Sequence, residues 1–477
     1  MKHTNAFLFS LLLASALLAS CGDADTPATQ TSGVSETVTE TDTPQVVTNL
    51  STLPTIDYNG YEFRVQMMET AEEDILTEGE ETGDVLNDTV HRRNRAIEEK
   101  YNITITATLD GDMKTMVQAG LDDTNLFFLN SHSASLAANG YAYCISDLPE
   151  VDLTAAWWDQ TCLEGLSIAG NVYMVTGDIS PRSLLFSSCL VFNRNLFSAY
   201  DMEYPYALAA DGKWTIDKFA ELTKGLSRDI NGDGQFTMDA DLFGLTAWTA
   251  DVSFSLYFGA GCRYSVKDAN DIPYVEFDMD RISRAYESMY ALLVEQQAHY
   301  VTDMALHETT YECFANGNAF FCEITLLKID NFLRSMEDDY GMLPIPKLDE
   351  SQENYISFVN AAGTLVMMPS SAEDPSRTAT ILEALAAGAS DYITPSLYEV
   401  IVKNKNARDE ESAQMVDLII AHRVFDPVYI NLLTGWETPA AQLSEKKSNI
   451  VSALEKRKKV MTRELEKISE AYAEQNQ

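Results

Sequence analysis

The feature that most constrains the fold of this chain is a regular alternation of strand and helix patterns near the start of its globular part. Phe63, Val65 and Met67 alternate with polar neighbours, and Asn87 or Asp88 can cap the helix that follows. In chain order, the pattern predicts a strand at 61–68, a helix at 86–101, a strand at 102–106, a helix at 111–121 and a strand at 125–129. This rhythm predicts a parallel sheet with crossover helices, and therefore an α/β fold.

The globular part is too long for one hydrophobic core. It begins near residue 56 and continues to residue 477, whereas single cores stop growing at roughly 250–300 residues. We therefore expect two lobes, each with its own sheet. Further strands are predicted at 188–192, 242–247, 319–324 and 363–368, and further helices at 216–226, 281–297, 326–336, 377–387 and 440–472.

The amino terminus has the pattern of a lipoprotein signal peptide. Lys2 is followed by an apolar run at 6–19, which ends at Ser20 and Cys21. The run is too short to span a bilayer but suits the apolar region of a secretory signal. A cysteine after Leu-Ala-Ser resembles the bacterial lipobox, so residues 1–20 are predicted to be removed and Cys21 to be acylated. The alternative is an ordinary cleaved signal with a chance cysteine.

Residues 21–55 are predicted to form an extended tether. They are rich in Thr, Ser, Asp, Glu and Pro, and no Lys or Arg occurs between Lys2 and Arg64. Such a segment cannot bury enough apolar surface to offset its conformational entropy, so we expect it to be disordered. The protein is thus expected at the outer face of the cell membrane, attached through its lipid alone.

The net charge of −40 restricts the possible partners. A phosphate backbone would repel so acidic a chain, which argues against a nucleic-acid partner. Direct adhesion to an anionic membrane surface is disfavoured for the same reason. The charge favours solubility, and we expect a monomer.

An acidic segment at 229–241 has the spacing of a cation-binding loop. Side-chain oxygens occur at alternate positions, and Gly234 permits the sharp turn that such loops make. The twelfth position is Ala240, so another acidic residue must close the site. The segment predicts a structural calcium site, and a surface turn without an ion is the alternative. The candidate ligands are Asp229, Asn231, Asp233, Gln235 through its backbone carbonyl, Asp239 and Asp241.

No catalytic signature is present in the sequence. The chain lacks G-x-S-x-G, H-E-x-x-H, a Gly-rich phosphate loop and G-x-G-x-x-G. Its aromatic residues point to binding instead, because a flat ring can stack on the apolar C–H faces of a sugar while polar neighbours bind the hydroxyls. Trp436 follows Thr434 and Gly435 in a loop-like stretch, and Trp157 and Trp158 precede Asp159. For each tryptophan, core packing is the competing interpretation.

Several stretches, in order along the chain, carry a resemblance to a known family. They are 81–94 (ETGDVLNDTVHRRN), 97–102 (IEEKYN), 229–244, 340–347 (YGMLPIPK) and 404–417. Together with the lipobox they resemble the family 1 extracellular solute-binding proteins, the maltose-binding-protein-like lipoproteins that serve ABC importers.

The resemblance implies a type II two-lobe fold with a hinge and a ligand cleft. Chain crossings would fall at 177–190, 304–308 and 358–364, which gives an N-lobe of 56–180 and 304–358 and a C-lobe of 181–303 and 359–477. Relatives commonly carry carbohydrates, so the implied ligand is an oligosaccharide and the implied partner an ABC permease. The candidate ligand-binding residues are Asn130, Ser131, His132, Trp157, Trp158, Arg182, Trp248, Asn360 and Trp436.

Under this interpretation the protein binds a solute by cleft closure and breaks no bond. Ligand contacts both lobes, favours the closed form and is then delivered to the permease. Two alternatives remain open at this point. A surface glycoside hydrolase would need two carboxylates at a fixed separation in the cleft, and a sensory or adhesive module could use the same fold without transport.

Overall fold

The computed structural model describes residues 47–475 except 110, 297–298, 302, 361 and 404–409. Residues 47–477 form one compact unit. The signal peptide, Cys21 and most of the tether lie outside the described residues, so those predictions are not addressed by the fold. No helix in the described part of the chain combines the length and the apolar character needed to cross a membrane.

Thirteen strands and nineteen α-helices occur in the described ranges. The strands are β1 Tyr61–Met67, β2 Ile103–Leu109, β3 Leu126–Asn130, β4 Ser188–Asn193, β5 Phe243–Trp248, β6 Ser265–Lys267, β7 Pro273–Val275, β8 His299–Val301, β9 Ala319–Thr325, β10 Tyr340–Leu343, β11 Ser357–Phe358, β12 Thr364–Met367 and β13 Arg423–Val424. The helices are α1 Asn49–Thr52, α2 Val85–Tyr101, α3 Met113–Gln118, α4 Ser135–Ala138, α5 Gln160–Leu166, α6 Pro181–Leu185, α7 Arg194–Ala199, α8 Tyr206–Ala210, α9 Ile216–Thr223, α10 Thr249–Gly259, α11 Met279–Tyr290, α12 His307–Ala315, α13 Leu326–Leu333, α14 Pro375–Tyr392, α15 Thr394–Lys403, α16 Glu410–Ala421, α17 Pro427–Ile430, α18 Thr438–Ser444 and α19 Ile450–Gln475.

The first lobe is built on a four-stranded sheet in the order β12-β3-β1-β2. Its three amino-terminal strands are parallel, with Tyr61 opposite Ile103 and Val65 opposite Leu126, and β12 is antiparallel to β3. Helix α2 begins at the Asp84 cap, whose side chain accepts the Asn87 N–H, and packs against α14. The β/α alternation predicted for 61–129 is confirmed.

The second lobe is built on a five-stranded sheet in the order β10-β4-β9-β5-β8. Strand β5 is parallel to β8 and β9, whereas β4 runs antiparallel to β9 and β10. All seven residues of β9 are buried, as expected for a central strand covered on both faces. The two open sheets confirm the predicted two-lobe α/β fold class.

The chain crosses between the lobes in segments that connect the two sheets. It leaves the first lobe through 177–187 and enters β4, and it returns through 359–363 into β12. Helix α15 packs on α2 in the first lobe, and the next described helix, α16, packs on β10 in the second.

The structure corrects two predicted boundaries. Residues 304–358 were expected in the first lobe, but β9 pairs with β4 and β5 in the second sheet. Residues 359–403 were expected in the second lobe, but β12 pairs with β3, and α14 packs on α2. No crossing therefore occurs at 304–308. An apolar strand carries no local signal for which of two sheets it joins, because both sheets offer it a buried site.

The predicted helix at 440–472 is two helices, α18 and α19, separated by a turn in which Lys446 has a left-handed φ of 52°. The apolar stripe read from the sequence is nevertheless correct. Its members are all buried: Leu443, Ile450, Leu454, Met461, Leu465, Ile468 and Tyr472. A periodic pattern thus identifies the buried face more reliably than it identifies a short break.

The apolar core continues from one lobe into the other. One cluster of buried side chains contains Phe127 and Leu129 of β3 together with Leu465, Ile468 and Tyr472 of α19. The Tyr472 and Tyr173 rings meet edge to face with centroids 4.6 Å apart. The cysteines of the described residues are all buried and unpaired, in agreement with the apolar sequence around them.

Gly177, at the start of the first crossover, is predicted to tolerate no side chain. Its φ is +146°, and a Cβ would lie 2.2 Å from the Trp157 carbonyl oxygen. Gly177→Ala should therefore lower the free energy of unfolding by more than about 2 kcal/mol, measured by urea denaturation. Gly120→Ala is the matched control, since Gly120 has φ +66° with no atom within 4 Å of the added Cβ, and it should cost about 1 kcal/mol. Equal losses would contradict the assignment of backbone contact at Gly177.

Candidate functional site: the cleft between the lobes

The crossovers that lead into β4 and β12 run beside the carboxyl ends of parallel strands. Ser188, the first residue of β4, pairs with Thr325, the last residue of β9. Thr364, the first residue of β12, pairs with Asn130, the last residue of β3. Because these crossovers join the same edge of each sheet, the carboxyl ends of the two sheets face each other. In open α/β sheets this edge is where ligands bind.

The first lobe contributes the end of β3 to this cleft. The Asn130 side chain accepts a hydrogen bond from Ser133 Oγ at 3.4 Å, and the Asn130 N–H points to Met68 Sδ at 3.4 Å. His132 follows in a 3-10 turn and is exposed. The side chain of Ser131 lies outside the described part of the structure, so its predicted role stays a prediction.

A buried ionic network supports the first crossover. Arg182, in the first turn of α6, forms an ion pair with Glu73 at 2.6 Å. Asp74 is fully buried and accepts hydrogen bonds from Ser180 Oγ at 2.5 Å and the Arg182 N–H at 3.4 Å. Burial raises the pKa of Asp74 to about 6, against the lowering effects of Ser180 and Arg182. The sequence does not single out Asp74, because it lies in a run of acidic residues, which is typical of a solvated surface.

The second lobe presents an aromatic and apolar surface to the cleft. Trp248 is the last residue of β5, and its ring centroid lies 5.7 Å from that of His307. Met304 and Leu306, which follow β8, are 63% and 49% exposed. Exposed apolar side chains grouped at a strand end indicate a binding surface more than chance exposure. His307 was not predicted, since an isolated histidine carries no spacing signal.

Beneath that surface lies a pair of buried carboxyl groups. Asn360, in the second crossover, donates from Nδ2 to Asp251 Oδ1 at 2.9 Å. Glu323 of β9 accepts a hydrogen bond from Ser255 Oγ at 2.7 Å. Burial raises the pKa of Asp251 to about 7, and burial followed by repulsion from Asp251 raises the pKa of Glu323 well above its usual range. Asp251 thus connects the second lobe to the crossover.

Several buried polar atoms lie on or beside the crossovers without a hydrogen-bond partner among the described residues. They are Arg182 Nε, Ser183 Oγ, Ser187 Oγ, Thr325 Oγ1 and Thr364 Oγ1. Buried polar groups are nearly always satisfied, and each exception calls for an explanation. These atoms mark positions beside the crossovers where a water molecule or a ligand group can complete the hydrogen bonding.

The remaining predicted tryptophans differ in their environments. Trp158 is 2% exposed and donates from Nε1 to Glu383 at 3.1 Å in the core of the first lobe. This burial removes Trp158 from the cleft and corrects that prediction. Trp157 is half-buried against the same core. Trp436 is half-buried and packs on Phe254, with ring centroids 5.3 Å apart, so it forms part of the wall of the second lobe rather than a free platform.

The acidic loop lies at the opposite edge of the second sheet, before the amino end of β5. The Asp229 carboxylate accepts the Gly232 and Gly234 N–H groups at 2.6 and 2.8 Å. Asp241 accepts the Ile230 and Thr237 N–H groups, both at 2.8 Å, and so joins the two ends of the loop. Among the residues that the structure describes, no group of three or more His, Cys, Asp or Glu side chains is arranged to hold a metal.

The buried carboxyl of Asp251 predicts a specific pH dependence. Its folded pKa is raised above its usual value of 3.8, so its contribution to stability is present below pH 3.8 and is lost as the pH rises towards about 7. Asp251→Asn keeps an acceptor for Asn360 and carries no ionisable group. Its free energy of unfolding should rise relative to that of the wild type by up to about 4 kcal/mol between pH 4 and 8, measured by urea unfolding. Asp211→Asn, at an exposed position, is the control. Parallel curves for the wild type and Asp251→Asn would contradict the assignment.

Comparison with solved structures identifies the fold. No protein-family model and no curated protein sequence matches the chain. An ABC substrate-binding protein from Listeria monocytogenes, solved with cycloalternan, is 11% identical with a TM-score of 0.54 and covers 85% of this chain and 99% of its own. The GacH receptor of Streptomyces glaucescens, solved unliganded and with acarbose, is 13% identical with a TM-score of 0.51 and covers 87% and 98%. A sugar transporter protein from Rhizobium etli in an open conformation is 14% identical with a TM-score of 0.52 and covers 87% and 99%.

These similarities cover most of each chain, but the sequence identity is low, so they show the fold alone. The chain has the hinged two-lobe α/β fold of the ABC substrate-binding proteins, with the cleft described above between its lobes.

Proposed function

We propose that the protein binds a small polar solute in the cleft between its lobes and delivers it to an ABC permease. The class of solute that we propose is an oligosaccharide. The observation that carries the proposal is the composition of the facing strand ends. Buried polar atoms without partners among the described residues lie beside the crossovers, while Trp248, Met304 and Leu306 form a partly exposed apolar surface at the carboxyl end of the second sheet. A sugar matches both, because it offers hydroxyls at its rim and apolar C–H faces.

Transport without chemistry explains the cleft better than catalysis does. A glycoside hydrolase needs two carboxyl groups that flank an accessible bond. The facing pair of carboxyls beneath the wall of the cleft, Asp251 and Glu323, is only 7% and 2% exposed, so it cannot flank a bound sugar. They stiffen the wall of the cleft, and we propose that the protein is not an enzyme. Structural neighbours of this fold include proteins solved with cycloalternan and with acarbose, which supports the choice of carbohydrate.

The proposal includes attachment of the protein to the outer face of the cell membrane through Cys21. The apolar run at 6–19, followed by Ser20 and Cys21, supports this, and the tether at 21–55 would let the globular unit reach a permease. A diacylglycerol mass on Cys21 in the mature chain is the expected observation. An unmodified mature amino terminus would contradict it.

Binding is tested by calorimetry and tryptophan fluorescence against a panel of linear and cyclic glucans, raffinose and xylo-oligosaccharides. At least one glycan should bind with a micromolar or lower Kd and be recovered intact. Trp248→Ala should raise that Kd at least tenfold, which corresponds to about 1.4 kcal/mol of lost stacking and apolar contact. Phe236→Ala removes an exposed ring at the opposite edge of the same sheet and should leave the Kd unchanged. Failure of every glycan to bind would overturn the carbohydrate assignment.

We also propose that the loop at 229–241 binds calcium as a structural clip. Its short Asx turns support the idea: Asn231 Oδ1 accepts the Asp233 N–H at 2.8 Å, and Asp233 Oδ1 accepts the Gln235 N–H at 2.7 Å. These bonds draw the oxygens of Asp229, Asn231 and Asp233 into one exposed turn of the kind that hard cations favour. Because Asp241 already holds the two loop ends, the more exposed Asp239 is left as the acid that would close the site.

Calcium removal should therefore lower thermal stability. Adding 1 mM calcium chloride after chelator treatment should raise the Tm by a few degrees, because a cation at about 100 times its Kd stabilises the folded state by about 2.7 kcal/mol. Asp233→Ala should abolish the rise. Asp268→Ala is the control, since Asp268 caps a similar turn elsewhere in the second lobe. An identical Tm with calcium and with chelator would contradict calcium binding.

A further inference from the structure

A β-hairpin of the second lobe reaches across to the first lobe. Strands β6 and β7 form the hairpin, with Lys267 at the end next to the loop, and Lys267 Nζ donates to the Ser167 carbonyl at 2.6 Å and to Ser167 Oγ at 2.9 Å. Asp271 accepts the Gly170 N–H at 3.0 Å through Oδ2 and the Ala169 N–H at 3.0 Å through its carbonyl. Lys267 and Asp271 also form an ion pair at 2.8 Å.

These bonds join elements that belong to different lobes. The turn at 167–171 is tied to the first lobe, since Val175 pairs with Val366 of β12 and the Ile145 N–H donates to the Val172 carbonyl. The hairpin is tied to the second lobe, since β7 packs on α19 and the Tyr264 N–H donates to Asp426 at 2.9 Å. The contact is separate from the covalent crossovers at 177–187 and 359–363.

Both sides of the contact hold strained backbone. Ala169 has φ +53° and Asp271 has φ +62°, a left-handed conformation that costs non-glycine residues of order 1 kcal/mol or more each. The strained residues meet directly, because the Ala169 N–H donates to the Asp271 carbonyl. On the first-lobe side the conformation belongs to a two-residue turn between Ile168 and Asn171, which exchange backbone hydrogen bonds at 3.1 and 3.0 Å, so the turn presents its N–H groups to the hairpin in a fixed geometry.

We propose that the hairpin loop at 267–271 is a latch that sets the affinity of the cleft by holding the lobes closed. The effect on affinity rests on the proposed solute-binding function, whereas the latch itself contacts no solute. Bonds across this contact stabilise the arrangement of the lobes in which they form, and they are lost in any opening that separates the hairpin from the turn. Since apparent affinity scales with the population of the binding-competent state, Lys267 and Asp271 are positioning residues for binding.

The latch is tested by the distance between the lobes, without any solute. Spin labels are placed at Lys114→Cys on α3 and Glu221→Cys on α9, both exposed positions, in the full chain carrying Cys21→Ser. Double electron–electron resonance then gives the distance between the two labels. The described native cysteines are buried and should not compete for label. The double variant Lys267→Met with Asp271→Asn should lower the closed-to-open ratio by roughly tenfold or more at an unchanged unfolding midpoint.

Two matched variants sharpen the test. Asp268→Asn removes one carboxylate from the same hairpin loop, as Asp271→Asn does, and because Asp268 bonds only within the hairpin, its distance distribution should match the wild type. Lys267→Arg keeps a cation that can donate to Ser167 and pair with Asp271, so its distance distribution should also match the wild type. A double variant with the wild-type distribution would overturn the latch. Because no solute takes part, this result is independent of whether any glycan binds.

Discussion

The pairing of Ser188 with Thr325 and of Thr364 with Asn130 determines where this molecule can bind a ligand. Each pair places a crossover next to the carboxyl end of a strand, so the chain passes between the lobes at the edges where parallel strands end. Side chains that follow those strands must then face one another across the hinge. Every other feature of the cleft, from Trp248 to Arg182, depends on this arrangement.

The cleft is polar at its hinge and apolar at one wall, and the two halves have different physical roles. Asp74, Asp251 and Glu323 are removed from water, which costs free energy when they ionise, so their pKa values are raised. Such groups are stable because Ser180, Asn360 and Ser255 bind them. These polar contacts hold the crossovers in place. The wall around Trp248 is left available for a solute.

The contacts between the lobes extend beyond the hinge. The end of α19 reaches α4, where Gln475 donates to the Ala137 carbonyl at 3.1 Å, and the β6–β7 hairpin meets the turn at 167–171. An arrangement held by many weak contacts can be opened by a modest free energy, which the proposed capture and release of a solute would require.

The sequence predicts the parts of this structure that depend on local periodicity. The alternation at 61–129 and the apolar stripe of α18 and α19 follow from the spacing of apolar residues alone. Lobe membership of β9 and β12 could not be predicted that way, because an apolar strand fits either sheet. Trp158 was misassigned because its burial depends on Glu383, more than two hundred residues away. Asp251 and Asp74 were missed because only the tertiary fold removes them from water.

Closure of the two hinged lobes over a bound solute changes the dimensions of the whole molecule, which small-angle X-ray scattering measures in solution. The radius of gyration should fall when a glycan that binds by calorimetry is added to saturation, and the unliganded protein should show a broader distribution of dimensions. A radius of gyration that stays the same while calorimetry shows full occupancy would contradict closure as the basis of binding.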